Sequence, residues 1–248
     1  MLQPYYPPLL LAFLTQTARF HPKLVEQKNN DPIATAEFYA EATIRSMGLE
    51  FLSDPTLEKV QTLLLLGYHE WTALQGSKGW LRIGCAIRAA QLLKYHTDAD
   101  RDNEERSNDA KGERSLSDKD QFVLRETQRR TFWSCYIMDR YLSLGEDRPS
   151  MFKREDFRVQ LVCSDSAFNF GRNVRTRHLG DSNAKYEYRR LQAPKSVHHQ
   201  QDGHVQFMSR CPDLKWEIGD AEDEFVWYMP VVELFGDITK WSCRGGRR

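Results

Sequence analysis

The sequence has no excess of charge of either sign, because 35 lysines and arginines balance 35 aspartates and glutamates over 248 residues. A domain that binds DNA through its own surface usually carries a basic excess, since it neutralises several phosphates. The even balance therefore argues against direct DNA binding by this chain. Hydrophobic residues make up 40% of the sequence, which supplies a globular core and excludes a wholly disordered chain.

Long apolar runs are also missing. The longest, Leu9–Leu14 and Leu63–Leu66, are far shorter than the roughly 20 residues that span a bilayer. The basic segment that opens a signal peptide is absent, and Pro4, Pro7 and Pro8 interrupt the N-terminal stretch. We therefore expect no membrane partner.

Closely spaced cysteines are absent as well. The five cysteines form no C-x-x-C pair and lie far apart, at positions 85, 135, 163, 211 and 243. Scattered cysteines of odd number are typical of a reducing compartment, the nucleus or cytosol, rather than of a secreted disulfide framework.

Catalytic motifs are missing too: no G-x-S-x-G, phosphate-binding loop or G-x-G-x-x-G occurs. His69-Glu70 begins like the zinc-protease motif H-E-x-x-H, but Ala73 occupies the place of the second histidine. We interpret the two residues as a polar pair near the end of an amphipathic helix. The sequence predicts no catalytic residue.

Three histidines, His198, His199 and His204, raise the alternative of a metal site. Zinc sites need three or four ligands on a rigid framework, whereas this segment shows little periodicity and offers only Cys211 as a nearby thiol. We therefore predict no metal ligand and no cofactor in this chain.

Helical periodicity is what the sequence does contain. Asp31-Pro32 and Asp54-Pro55 each combine a capping aspartate with a proline suited to a first helical turn. The longest predicted helix begins with Asp118 as its cap and ends near Leu144, before Gly145, and carries a broad aromatic face. These patterns predict an all-α fold over residues 1–248, an irregular array of helices around this long central helix.

Two stretches interrupt the helical pattern. Nine acidic and five basic residues crowd positions 97–120, which predicts a long, mobile charged loop at about 97–117; the alternative is an acidic interaction segment. Residues 171–218 show little periodicity, which predicts an irregular surface connection, and a last helix is predicted from about Glu222 to Trp241.

Aromatic, small and charged residues concentrate in two helical blocks, residues 79–93 and residues 126–149. We expect Glu126 to pair with Arg130, four positions away, and Asp139 to pair with Arg88 or Arg148. Gly84, inside a helix, predicts close approach of a neighbouring helix.

A catalytic role for Asp139 or Glu126 in these blocks is one hypothesis, and an ion-pair network that holds two packed helices together is the other. We favour the structural hypothesis, because no nucleophile, paired carboxylate or metal site converges there.

The two blocks carry ordered motifs: A-I-R-A-A at 86–90, R-R-T-F-W-S-C-Y-I-M-D-R at 129–140, then Arg148-Pro149 and Glu155-Asp156. In order and spacing they resemble the middle homology region of fungal zinc-cluster transcription factors, also called the xylanolytic transcriptional activator regulatory domain. One departure is Val162, where the family usually has proline. The signature residues, for which we expect structural roles, are Trp80, Gly84, Arg88, Arg129, Arg130, Phe132, Trp133, Asp139, Arg140, Arg148 and Pro149.

The resemblance implies a nuclear protein that regulates RNA polymerase II genes, as a homo- or heterodimer, and responds to a small-molecule inducer or co-regulator. Family members bind DNA through a binuclear zinc cluster of six close cysteines, which this chain lacks, so zinc and DNA binding are expected only through that separate domain.

Two alternatives stay open beside this function. One is a helical small-molecule-binding protein that shares only the fold, and the other is a non-functional fragment. Since family members usually continue further, we expect a domain incomplete at its C-terminus, and truncation predicts an exposed apolar patch at Trp227, Phe235 and Trp241.

Overall fold

The computed structural model describes residues 6–49, 53–97, 117–144, 148–182, 215–217, 222–243 and 246. This part of the chain is mostly helical, which confirms the predicted all-α class. Its α-helices are α1 (Pro7–Thr17), α2 (Pro22–Glu26), α3 (Pro32–Met47), α4 (Leu57–Thr72), α5 (Gly76–Leu92), α6 (Asp118–Leu142), α7 (Asp165–Phe170) and α8 (Glu224–Cys243). Two 3-10 turns, Ala18–Phe20 and Arg154–Asp156, and two parallel two-residue strands, β1 (Val174–Arg175) and β2 (Lys215–Trp216), complete it.

Helix α3 begins as predicted. The Asp31 side chain accepts hydrogen bonds from the N–H groups of Ile33, at 2.8 Å, and Ala34, at 3.1 Å, and Pro32 is the first helical residue. These bonds satisfy two of the N–H groups that a helix leaves unpaired at its start.

The predicted caps of two other helices are wrong. Thr56, rather than Asp54, caps α4 and accepts from the N–H of Lys59 at 3.3 Å. Ser117, rather than Asp118, caps α6 and accepts from the N–H of Asp120 at 3.2 Å. In both cases a hydroxyl directly before the first helical residue fills the cap position.

The long helix α6 is central. It packs against α4, α5 and α8, while α1 packs on α3 and α4. Ile83 and Ile87 of α5 share one buried core with Phe132, Trp133 and Tyr136 of α6, all at most 1% exposed. The two signature-bearing helices are therefore packed against each other, as the sequence predicts.

Helices α4 and α5 approach each other closely at Gly67 of α4 and Gly79 of α5. A Cβ atom on Gly79 would lie 3.0 Å from the carbonyl oxygen of Gly67 and 3.3 Å from the backbone nitrogen of Trp71. At Gly84 the nearest such atom is the sulfur of Met151, at an ordinary 3.5 Å. The expectation of a close helix contact at Gly84 is wrong, because this glycine faces the segment after Pro149.

Alanine substitutions at the two α5 glycines are expected to change stability in opposite directions. Gly84→Ala should raise the free energy of unfolding by up to about 1 kcal/mol, since alanine favours helix and has room. Gly79→Ala should lower it by about 1 to 2 kcal/mol, because the new methyl group meets backbone atoms of α4. Urea unfolding of both variants tests this. A change of the same sign in the free energy of unfolding of both would contradict the close backbone contact at Gly79 and the free space at Gly84.

The two irregular stretches are described only in part. Of the predicted charged loop, residues 98–116 lie outside the described residues. Of the predicted connection, residues 183–214 and 218 lie outside them, but its two ends meet as β1 and β2, with Val174 opposite Lys215. Val174, Leu179 and Glu217 are buried at these ends, so the ends belong to the folded body rather than to its surface.

Candidate functional site

A segment without α-helix, residues 151–163, runs antiparallel along α6; we call it the strap segment. Its residues contact α6 at three levels: positions 151–152 meet residue 139, position 160 meets residue 133, and position 163 meets residue 126. Outside regular secondary structure, buried backbone groups need other partners. Side chains of α6 supply several of those partners, and the backbone carbonyls of His96 and Arg177 supply others.

At the first level, the buried Asp139 carboxylate binds backbone N–H groups of the strap segment. It accepts from Met151 at 2.9 Å and from Phe152 at 3.1 Å. The neighbouring Arg140 donates to the Phe152 carbonyl at 3.0 Å, and its guanidinium lies 4.6 Å from the ring centre of Tyr136. Asp139 and Arg140 together therefore satisfy both polar groups of one strap residue.

At the second level, the indole N–H of Trp133 donates to the Gln160 carbonyl at 2.8 Å. Trp133 is fully buried, and its ring meets Phe157 of the strap segment edge to face at 5.7 Å. Phe132 packs edge to face on Phe152, at 5.2 Å. The aromatic face of α6 therefore binds the strap segment by packing as well as by hydrogen bonding.

At the third level, the fully buried Glu126 accepts from the N–H of Cys163 at 2.9 Å. It also pairs with Arg129 at 2.6 Å and with Arg130 at 3.2 Å, which confirms the predicted Glu126–Arg130 pair. Arg130 reaches on to Asp165 at 2.8 Å and to the Cys163 carbonyl at 2.9 Å. One carboxylate and two arginines thus fix the end of the strap segment.

Burial raises the pKa of several groups at this site. It raises the pKa of Asp139, although the N–H groups of Met151 and Phe152 act in the opposite direction. Burial also raises the pKa of the Cys135 and Cys163 thiols, and such thiols stay protonated and are poor nucleophiles. Burial raises the pKa of Tyr136 to about 12. The arrangement holds backbone in place and presents no activated nucleophile.

The predicted partners of Asp139 are wrong. Arg88 is exposed on α5 and donates to the Gln91 side chain at 2.9 Å, and Arg148 donates to the Ser77 hydroxyl at 3.1 Å. Two backbone N–H groups of the strap segment bind the carboxylate instead, because the chain after Pro149 turns directly back onto α6. The arginine that pairs with Asp139 is its neighbour Arg140, at 3.5 Å.

The remaining signature residues are dispersed. Trp80 is half-buried and packs at the edge of the core, and Gly84 faces Met151. Pro149 is exposed. The structure therefore gathers the signature residues of α6 on the strap segment and leaves those of α5 apart.

His69 and Glu70 are both buried, and each contacts a different helix. The Glu70 carboxylate forms a two-pronged pair with Arg82 of α5, at 2.7 and 2.9 Å. His69 Nε2 lies 3.0 Å from the Glu37 carboxylate of α3. No local sequence pattern points to Arg82 or Glu37 as the partners, because both lie on other helices.

A second polar cluster ties the ends of the 171–218 connection to Ser164, directly after the strap segment, and to Glu222. The Glu217 carboxylate accepts from both the N–H and the hydroxyl of Ser164, each at 2.8 Å. Arg177 pairs with Glu222 at 2.5 Å. None of these residues belongs to the signature, and no local pattern marked them.

The described residues contain neither a cluster of metal-binding side chains nor a membrane-spanning helix. Among them, no three histidine, cysteine, aspartate or glutamate side chains come together as a metal would require; His198, His199 and His204 lie outside this part. None of the helices in the same part of the chain has the length and apolar character needed to cross a membrane.

Comparison with known proteins identifies one family. The family model described as "Fungal specific transcription factor domain" matches residues 2–215. This match includes every signature residue of both blocks and the whole strap segment. No solved structure matches the chain.

The curated relatives are named as transcription factors or transcriptional regulatory proteins. A Zn(2)-C6 fungal-type transcription factor of Fusarium oxysporum f. sp. lycopersici is 31% identical over 173 residues, 70% of this chain and 18% of that protein. A second factor of the same organism is 43% identical over 102 residues, 41% of the chain and 9% of that protein. An uncharacterized transcriptional regulatory protein of Schizosaccharomyces pombe is 29% identical over 160 residues, 64% of the chain and 16% of that protein. The chain thus spans less than a fifth of each relative's length.

Proposed function

Because the chain belongs to the fungal specific transcription factor domain family, we propose that it is the regulatory domain of a fungal transcription factor that controls RNA polymerase II transcription. The family match over residues 2–215 carries this proposal. The geometry supports it, since the signature side chains of α6 build a scaffold and leave no reactive group exposed.

In this proposal residues 1–248 form one domain that catalyses no reaction. DNA binding, and the zinc that it requires, belong to a separate zinc cluster, because the chain itself has no net positive charge. The protein acts in the nucleus as a homo- or heterodimer. A small-molecule inducer or a co-regulator binds the domain and changes its effect on transcription.

A reporter assay with a transplanted domain tests the function. The full chain is inserted between a foreign zinc-cluster DNA-binding domain and a constitutive activation domain, in a fungal host with a matching promoter. We expect the insertion to change reporter output several-fold relative to the same fusion without the chain, because a regulatory domain restrains or releases the activator.

Two variants control this assay. Glu126→Ala removes the buried carboxylate that fixes the strap segment and should return the output to that of the fusion without the chain. Glu41→Ala, in an exposed pair with Arg45 at 3.2 Å, should behave like the unmodified chain. If the unmodified chain leaves the output unchanged at equal protein levels, with or without added metabolites, the regulatory function is wrong.

A further inference from the structure

Helix α8 has two apolar faces, and only one of them is covered. The covered face packs on α6 through Val226, Met229, Val232 and Gly236, all buried. The opposite face is 55–59% exposed along the whole helix. We call this face the α8 seam; its residues are Trp227, Val231, Leu234, Ile238 and Trp241.

The spacing of the α8 seam is that of a coiled coil. Its residues follow one another at intervals of four, three, four and three positions, the heptad pattern in which two apolar positions per seven face a partner helix. Val231 and Ile238 occupy the first heptad position and Leu234 the fourth. β-Branched residues at the first position with leucine at the fourth favour a pair of helices over larger bundles.

The positions that flank the α8 seam carry a single charged residue on each copy. Tyr228 and Phe235 lie on one side, and Pro230 and Asp237 on the other. Coiled coils select partners through charges at these flanks, and only Asp237 is charged here. Tyr228 and Phe235 both contact Tyr141 of α6, so the apolar surface continues from the seam onto the central helix.

The exposed area is sufficient for a specific dimer. The five seam side chains with Tyr228 and Phe235 offer roughly 700 Å² on one protomer, so two copies would bury roughly 1,400 Å², within the usual range for stable interfaces. The same face on both copies gives a closed two-fold pair. We propose that this chain forms a homodimer in which α8 of one copy packs against α8 of the other through the α8 seam.

This proposal does not depend on the transcriptional function, and it is tested by mass. Sedimentation velocity of the full 248-residue chain over a range of concentrations should give a species of twice the chain mass. Val231→Glu/Ile238→Glu should give the chain mass alone, since two charges would enter the centre of the seam. Far-UV circular dichroism should stay unchanged in this variant, because both replaced side chains are more than half exposed.

Two further variants separate a specific pair from general stickiness. Leu81→Glu changes a residue of α5 that is 64% exposed and lies away from the seam, and should leave the dimer intact. Ile238→Asn should weaken the dimer but keep its two-chain stoichiometry, since one asparagine at this position is tolerated in paired helices.

Three results would overturn the proposal: a monomer at every concentration, a dimer that survives Val231→Glu/Ile238→Glu, or a mass that grows without a limit at two chains. A monomer would mean that the seam binds another segment of a longer protein or a different partner.

Discussion

Replacing Glu126 with alanine is expected to lower the free energy of unfolding by about 3 to 5 kcal/mol, the range for removing one partner of a buried ion pair. Glu126 has no exposed surface, so water cannot take its place beside the arginines. Arg129 loses its carboxylate partner, Arg130 keeps Asp165 and the Cys163 carbonyl, and the N–H of Cys163 loses its acceptor. Urea unfolding followed by far-UV circular dichroism measures the loss.

The exposed pair Glu41–Arg45 provides the matched control. Its atoms are 3.2 Å apart, but its side chains are 58% and 63% exposed. Because solvent screens such a pair, Glu41→Ala should cost about 0.5 kcal/mol or less. Glu126→Gln should fall between the two, since the amide oxygen still accepts from Cys163 but carries no charge. Equal losses in Glu126→Ala and Glu41→Ala would show that the third attachment of the strap segment contributes no stability.

Local signals in the sequence were sufficient to predict the longer helices and the packing of the two signature-bearing ones, but not the short helices α2 and α7. Asp31-Pro32 marks a helix start by chemistry that needs no distant partner. The broad apolar face of α6, with Phe132, Trp133 and Tyr136, requires burial on several sides, so its central position follows from its own pattern. The Glu126–Arg130 pair follows from helical spacing alone.

The partners of Asp139 could not be predicted in this way. A buried carboxylate accepts from any N–H group, and every residue except proline carries one, so the sequence does not mark the groups of Met151 and Phe152. An ion-pair rule points to Arg88 and Arg148, whereas the arginine beside Asp139 is its chain neighbour Arg140, at 3.5 Å. Only the path of the strap segment decides the partner, and that path is a property of the whole fold.

The predicted close helix contact at Gly84 was wrong for a related reason. Gly67, Gly79 and Gly84 all lie inside helices, and the sequence does not show which of these glycines faces the backbone of another helix.

The strand pair at Val174 and Lys215 joins positions 41 residues apart. Two-residue strands are too short to leave a periodic pattern. Contacts between segments that are far apart in the sequence therefore could not be predicted from local patterns.

Trp133→Ala is expected to have an effect as large as that of Glu126→Ala, about 3 to 5 kcal/mol, because it removes the largest fully buried side chain of the core and leaves a cavity. The same change breaks the hydrogen bond to the Gln160 carbonyl. Trp133→Phe keeps much of the packing but loses that hydrogen bond, so it should lower the free energy of unfolding by about 1 to 3 kcal/mol.

Phe20→Ala is the control for loss of an aromatic ring, since Phe20 is 80% exposed and should contribute about 0.5 kcal/mol or less. Amide hydrogen exchange over residues 157–163 distinguishes a local effect from a global one. In Trp133→Phe we expect faster exchange there than in α4, because the hydrogen bond at Gln160 is one of the three attachments of the strap segment. Exchange that rises equally in both places would mean that Trp133 stabilises the core as a whole and does not position the strap segment.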